Sequence, residues 1–307
     1  TLFWSPAKEA TVPNMVPKNK LENANQVSLL AAYGTAPIAA IVFSLLALVS
    51  VATTSFLPAE YSSTADLALY INAISFLYTA WIVYQLREIP KGPAGSAAVS
   101  ENIGKALFEG FKFVSGSKII RGLIFGMLGA FFAAGAVIGL ARTFVGDLNA
   151  GDAAYGILFG AVFTGLALGI WLGPKVFAQF SRRRIFGATL TISSSFLILL
   201  SLMTNLVLAI FITVLLGAFA GISWVTGFTM LGLEVADEVR GRTFAFVQSL
   251  IRVSLVFVLA IAPLVAAAIG RHTYEFENFE VTYNGAAFTM FGAGIIGVVV
   301  GVISYRT

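Results

Sequence analysis

Cysteine is absent from the chain, and histidine occurs once, as His272. Without thiols there can be no disulfide and no thiolate metal site, and a lone imidazole in the stretch "GRHTYEFENFE" offers no metal-ligand spacing. Charge is scarce too: 11% of residues are charged and 58% hydrophobic, whereas soluble domains carry about 25% charged residues. The phosphate-cradling pattern G-x-x-x-x-G-K-[ST] does not occur, and no nucleophile–base arrangement is visible. Neither enzymatic chemistry nor a cofactor is therefore expected within these 307 residues. A net charge of +4 raises nucleic acid as a partner, but its distribution along the chain points to membrane topology instead.

What is present is a series of long apolar runs. Spanning a hydrocarbon core of about 30 Å takes roughly 20 apolar residues in a helix, and eight such runs can be placed: Leu29–Ala52, Leu67–Leu86, Leu123–Ala141, Tyr155–Phe177, Ile185–Met203, Leu206–Leu233, Ser249–Gly270 and Ala286–Tyr305. A transmembrane barrel would need short alternating segments; these runs are continuous. The expectation is an all-α polytopic membrane protein whose first partner is the lipid bilayer. The opening "TLFWS" reads as the tail of an apolar helix that starts upstream, so the sequence is expected to be part of a longer chain.

Charge orders the loops. If residues 1–26 lie inside, alternate connections and the C-terminal tail share that side and collect every Lys and Arg except Arg142 and Arg271. The other side holds Glu60, Asp66, Asp147, Asp152, Glu275, Glu277 and Glu280. Basic residues resist translocation, so both termini of this sequence are expected in the cytoplasm of a cell-membrane protein.

The connection Arg87–Lys118 divides the chain. It opens with the flexible "KGPAGSAAVS" and continues as "SENIGKALFEGFKFV", where Ile103, Leu107, Phe111 and Val114 share an apolar face. That pattern suits a short amphipathic helix, lying on the inner membrane surface or packed on the spans. Residues 1–86 with two spans, a linker at 87–118, and residues 119–307 with six spans are the expected units. Gly-rich runs such as "GILFGAVFTGLALG" and "GAGIIGVVVG" suit close helix packing, or sliding between helices.

Few polar side chains stand inside the runs. Asn72, Tyr78 and Trp81 are the candidates for lining a substrate cavity, although helix–helix hydrogen bonding explains Asn72 equally. Pro37 and Pro263 are expected to kink their helices. Arg252 precedes an uncharged stretch, Val253 to Gly270, giving about 27 Å of helix, so it sits near a membrane boundary. It is either an anchor that snorkels to the headgroups or half of a gate-closing ion pair, with Gln248 one turn away and Glu234 or Asp237 as possible acids.

The stretch "PAKEATVPNMVPKNKLENANQ", with Pro6, Ala7, Pro13 and Ala24–Gln26, resembles the loop after the fourth helix in exporters of the major facilitator superfamily. "LFEGFKFV" is similar to the segment before their seventh helix, and "EVRGRTFAFVQSLIR" to the loop between their tenth and eleventh. More narrowly, the chain resembles the transporter half of actinobacterial proteins that fuse such a transporter to a C-terminal thymidylate kinase. The resemblance implies that this sequence holds helices five to twelve of a twelve-helix fold. It implies a secondary exporter of small amphipathic molecules working by alternating access, with protons as the coupling ion. One departure stands out: the second copy of the family's Gly–acid–Arg signature reads "GPKVFAQFSRRRIFG", with Arg182, Arg183 and Arg184 present and no acid between Gly173 and Arg182. These arginines either anchor the loop inside or take part in an inner gate whose acid must come from elsewhere. The rival class is a membrane module that only anchors or regulates a fused enzyme; polar groups facing a shared cavity would favour transport.

Overall fold

The computed structural model describes residues 16–35, 64–85, 118–148, 151–235, 237–276 and 279–306, with single helical positions at 38 and 42. The expected amphipathic helix of the 87–118 linker, most of the span expected at Leu29–Ala52, and Pro37 lie outside the described residues. In chain order the elements are a 3-10 turn at Lys18–Lys20, then α1 (Leu21–Tyr33), α2 (Thr64–Gln85), α3 (Lys118–Asp147), α4 (Gly151–Val176), α5 (Arg182–Ser201), α6 (Leu206–Glu234), α7 (Asp237–Ile269), β1 (Arg271–Phe276), β2 (Phe279–Asn284) and α8 (Gly285–Arg306).

The chain forms two compact units, one comprising Thr1–Gly34 with Ile103–Thr307 and the other Thr35–Asn102. In the second, α2 is a 22-residue helix on which every side chain described is exposed. In the first, six helices, α3 to α8, form a bundle onto which α1 packs. All six are long and apolar enough to cross a membrane. Their outer faces carry exposed Phe125, Phe211, Phe257, Leu264 and Val299. A soluble protein would not show so much apolar surface; a bilayer requires it.

Two apolar cores fill the bundle. One lies toward the end where α3 finishes and α8 begins, around Leu140, Phe144, Leu158, Leu197, Val258 and Met290. The other lies toward the end where α5 begins, around Ile124, Phe186, Phe228, Phe244 and Ile251. Lipid tails are as apolar as leucine, so such helices hold together by backbone approach and fit more than by expulsion of water. The α4–α6 contact is the closest case. A Cβ added at Gly165 or Gly169 of α4 would run into the carbonyls of Val214 or Ala218, and one at Gly217 or Gly221 of α6 into those of Val162 or Leu166. The Gly-every-fourth pattern of α4 is therefore a packing seam. In α8, Gly294, Gly297 and Gly301 press against Ile198, Ser194 and Thr191 of α5 in the same way.

Asparagines start two of the helices. Asn205 accepts from the N–H groups of Val207 and Leu208 at 2.9 and 3.2 Å, and Asn284 accepts from Ala286 and Ala287, satisfying donors that a helix start leaves open. Two features depart from the sequence reading. The acidic loop between α7 and α8 contains an antiparallel β-hairpin, pairing Arg271 with Asn284 through Phe276 with Phe279; Gly270, with φ of 74°, ends α7 and admits the turn into it. The hydroxyl of Tyr283 ties the hairpin to the carbonyl of Leu202, at 3.1 Å. The helix expected at Ser249–Gly270 in fact starts at Asp237, because the polar segment before the apolar run is helical as well.

The seam gives a direct test. Replacing Gly169 by alanine should lower the thermal unfolding midpoint of the purified full-length protein, by an amount equivalent to about 1–3 kcal/mol of overpacking. Alanine at Gly160, where an added Cβ meets nothing within 4 Å, should be neutral or slightly stabilising through helix propensity. Equal responses from the two positions would remove close backbone approach from the account.

Candidate functional site

Helix α1 is short, polar at its start, and held by three side chains of one face. Glu22 accepts from the guanidinium of Arg182, with Nη2 at 2.8 Å and Nε at 3.1 Å. Asn25, buried, donates from Nδ2 to Oγ1 of Thr229 on α6 at 3.1 Å. Gln26, also buried, donates from Nε2 to the backbone carbonyls of Ile170 at 2.9 Å and Trp171 at 2.6 Å on α4. Below them Leu29 packs with Leu166, Ile170 and Val225.

The carbonyl that Gln26 meets has a cause. Pro174 stands inside α4, and proline has no N–H to give the carbonyl four residues back, which is that of Ile170. Ile170 is fully buried, so water does not reach that carbonyl, and an unmet buried carbonyl costs about 1–3 kcal/mol. The amide of Gln26 carries two N–H donors and serves Ile170 and its neighbour together. A defect made by proline in one helix is thus repaired by a side chain from another. The ammonium of Lys175 lies 4.9 Å from the ring centre of Trp171, at the same end.

Of the arginine cluster, Arg182 finds its acid in Glu22, the partner missing from the local signature; Arg183 is half-buried and Arg184 exposed. The other candidates are less concentrated. Between Asp237 and Arg252 lies about 22 Å of continuous helix at 1.5 Å per residue, and Glu234 closes α6 just before that helix starts. Arg252 is half-buried, as is Gln248 one turn before it. Asn72, Tyr78 and Trp81 are all exposed on α2. Tyr78 and Trp81 stand 5.9 Å apart between ring centres, whereas Asn72 is about half a turn away from Trp81 at 100° per residue, so the three do not form one face. His272 is exposed; its Nε2 lies 3.0 Å from the carbonyl of Ile269 and its ring stands edge-on to Phe288.

A cavity of about 320 Å³ opens beside the α1 contact, among α3, α4, α5, α6 and one residue of α7. Phe131, Phe163, Phe186 and Trp224 supply rings to its wall, Ala134 and Ile138 lie at its exposed rim, and Ser193, Ser194 and Ser223 are its hydroxyl-bearing residues. The rings of Phe131 and Trp224 meet edge to face, with centres 5.0 Å apart. A smaller cavity of about 60 Å³ adjoins it toward the hairpin end, sharing Val137, Ile138, Val162 and Phe163 and including Thr213. The sequence reading missed this wall because its residues are ordinary apolar ones. It missed Gln26 as a contact because the cause, Pro174, lies far away in the chain.

The fold is similar to a crystal structure of the fucose:proton symporter of E. coli, with a TM-score of 0.70, 14% identity, and coverage of 98% of this chain and 73% of that one. At that identity the likeness is one of fold. No curated protein matches the chain in sequence. A family model described as "Transmembrane secretion effector" matches residues 1–304. Its match over nearly the whole length, together with a bundle of membrane-crossing helices and the transporter fold, makes this chain a member of that family within the major facilitator superfamily, a membrane transporter and not an enzyme.

Proposed function

We propose that the protein exports small amphipathic molecules by alternating access, with α1 as the inner gate. In this reading α1 and α2 correspond to helices five and six, ending the N-terminal half, and α3 to α8 to helices seven to twelve. The charge asymmetry supports the sidedness: the Arg182–Arg184 end and both termini face the cytoplasm. The observation that carries the reading is the docking of α1 on α4 and α6 through Glu22, Asn25 and Gln26, directly beside the cavity. In this reading a helix of the N-terminal half covers the inner end of the C-terminal half, as expected of a transporter shut toward the cytoplasm.

The chemistry of the contact suits repeated opening. An apolar seal exposes hydrophobic surface each time it parts, whereas hydrogen bonds from Asn25 and Gln26 can pass to entering water at little net cost. Glu22 and Arg182 are partly exposed, so their pair adds only about 0.2–1 kcal/mol and steers more than it holds. Protons are the proposed coupling ion; support comes from the fold it shares with a protein described as a proton symporter.

The gate is tested by a reporter cysteine at Val225, a fully buried position under α1, in the full-length protein freed of other cysteines. In inside-out vesicles Gln26→Leu should raise its labelling rate about five- to hundredfold, the equivalent of orphaning one buried carbonyl. In a chain that also carries Pro174→Ala the same change should matter much less, since Ile170 then has an N–H of its own helix. Equal effects in both backgrounds would sink the latch.

Sidedness has its own test. Cysteines placed at Ser63 and Asn278 should react with an impermeant thiol reagent added to whole cells, and one at Ser96 should not. Labelling at Ser96 from outside would overturn the orientation.

A further inference from the structure

We propose that the cavity among α3, α4, α5 and α6 holds an uncharged, ring-bearing part of the transported molecule, fixed by one hydrogen bond to the hydroxyl of Ser223. This deepens the transport reading and rests on it for the word "transported"; the binding itself does not.

Size sets the first limit. About 320 Å³ is at the lower end of the range for small-molecule sites, enough for a fused ring system and too little for a large polar molecule. Charge sets the second. None of the described residues that line the cavity is ionisable, and an ion entering among them would lose its hydration without a partner. The walls set the third, because Phe131, Phe163, Phe186 and Trp224 offer ring faces and edges to a flat apolar group.

Orientation comes from a hydroxyl with nothing to do. Buried or half-buried Ser and Thr in these helices usually turn back on their own backbone: Thr189 to Ile185, Thr191 to Gly187, Ser195 to Thr191 and Thr289 to Gly285, at 2.7–2.9 Å. Of the other cavity serines, Ser193 donates to the carbonyl of Leu216 at 3.0 Å, and Ser194 packs against Gly297 of α8. Ser223 is 3% exposed, lines the cavity, and its Oγ has no hydrogen-bond partner among the described residues. A buried hydroxyl left open is costly, and a ligand group that donates or accepts one hydrogen bond would satisfy it. A hydroxyl can do either, so the ligand is restricted in polarity and shape but not in the sense of that bond.

Three naphthalene derivatives separate these requirements, measured by equilibrium binding to the full-length protein in lipid nanodiscs. Naphthol should bind more tightly than naphthalene, and Ser223→Ala should cut that preference about three- to tenfold while leaving naphthalene unaffected. Naphthoate, an anion of the same ring system, should bind far more weakly than naphthol. Ala134→Trp, which fills the exposed rim, should abolish binding of all three, and unchanged unfolding midpoints would show that both variants fold. A naphthol preference that survives Ser223→Ala, naphthoate binding as tight as naphthol, or binding that survives Ala134→Trp would each overturn the proposal. None of these results depends on the gate. Labelling at the Val225 reporter that responds to Gln26→Leu, alongside failed probe binding, would remove the cavity proposal and leave the transport reading standing.

Discussion

Both candidate sites depend on how closely α4 and α6 approach. The seam of Gly165, Gly169, Gly217 and Gly221 brings the two backbones into contact, and the residues beside it are the ones that matter. On one side of that contact, Ile170, Trp171 and Thr229 present the acceptors that Gln26 and Asn25 use. On another, Val162, Leu166, Ala220, Ser223 and Trp224 form part of the cavity wall. Spreading the helices by the width of a methyl group would shift the acceptors apart and reshape the cavity together. A hydrocarbon solvent supplies no hydrophobic force to restore such a contact, so fit has to do it.

The same solvent explains why the α1 contact is polar. Within a bilayer a backbone carbonyl with no donor cannot turn to water, and Pro174 creates such a carbonyl on Ile170. Proline in a membrane helix is tolerated where a neighbour repairs the gap, and here the neighbour belongs to a helix outside the six-helix bundle. Closing the contact therefore satisfies Ile170, and opening it requires water to arrive. On the reading proposed above, that couples the position of α1 to hydration of this end of the bundle, the quantity an alternating-access transporter must change.

Much of the architecture was legible in the sequence because length and apolarity are local properties. Each run from Leu123 to Tyr305 corresponds to a helix, since nothing but a helix satisfies its backbone in lipid. What was misjudged was polar. Residues 237–248 carry charges and read as loop, yet they form the first turns of α7. Residues 271–284 were read as an outer loop from their acids, although Thr273, Val281, Thr282 and the interleaved aromatics have the composition of strands. The six apolar runs and the basic cluster were visible; the partner of Arg182 was not, because Glu22 lies on a different helix and no spacing rule connects them.

Gln26 shows the limit most clearly. It stood within the "ANQ" that carried the family resemblance, but nothing local marks a glutamine on a polar helix start as a structural donor. Its meaning depends on Pro174, which is conspicuous as a helix interruption and silent about who repairs it. A general rule follows for membrane chains: each proline inside a span frees the carbonyl four residues earlier, and that carbonyl has an owner elsewhere, whether a hydroxyl of the same helix, a water, or an amide from a neighbour. Where the span packs beneath another helix, as α4 does beneath α1, an Asn or Gln near the start of that helix is the residue to test first.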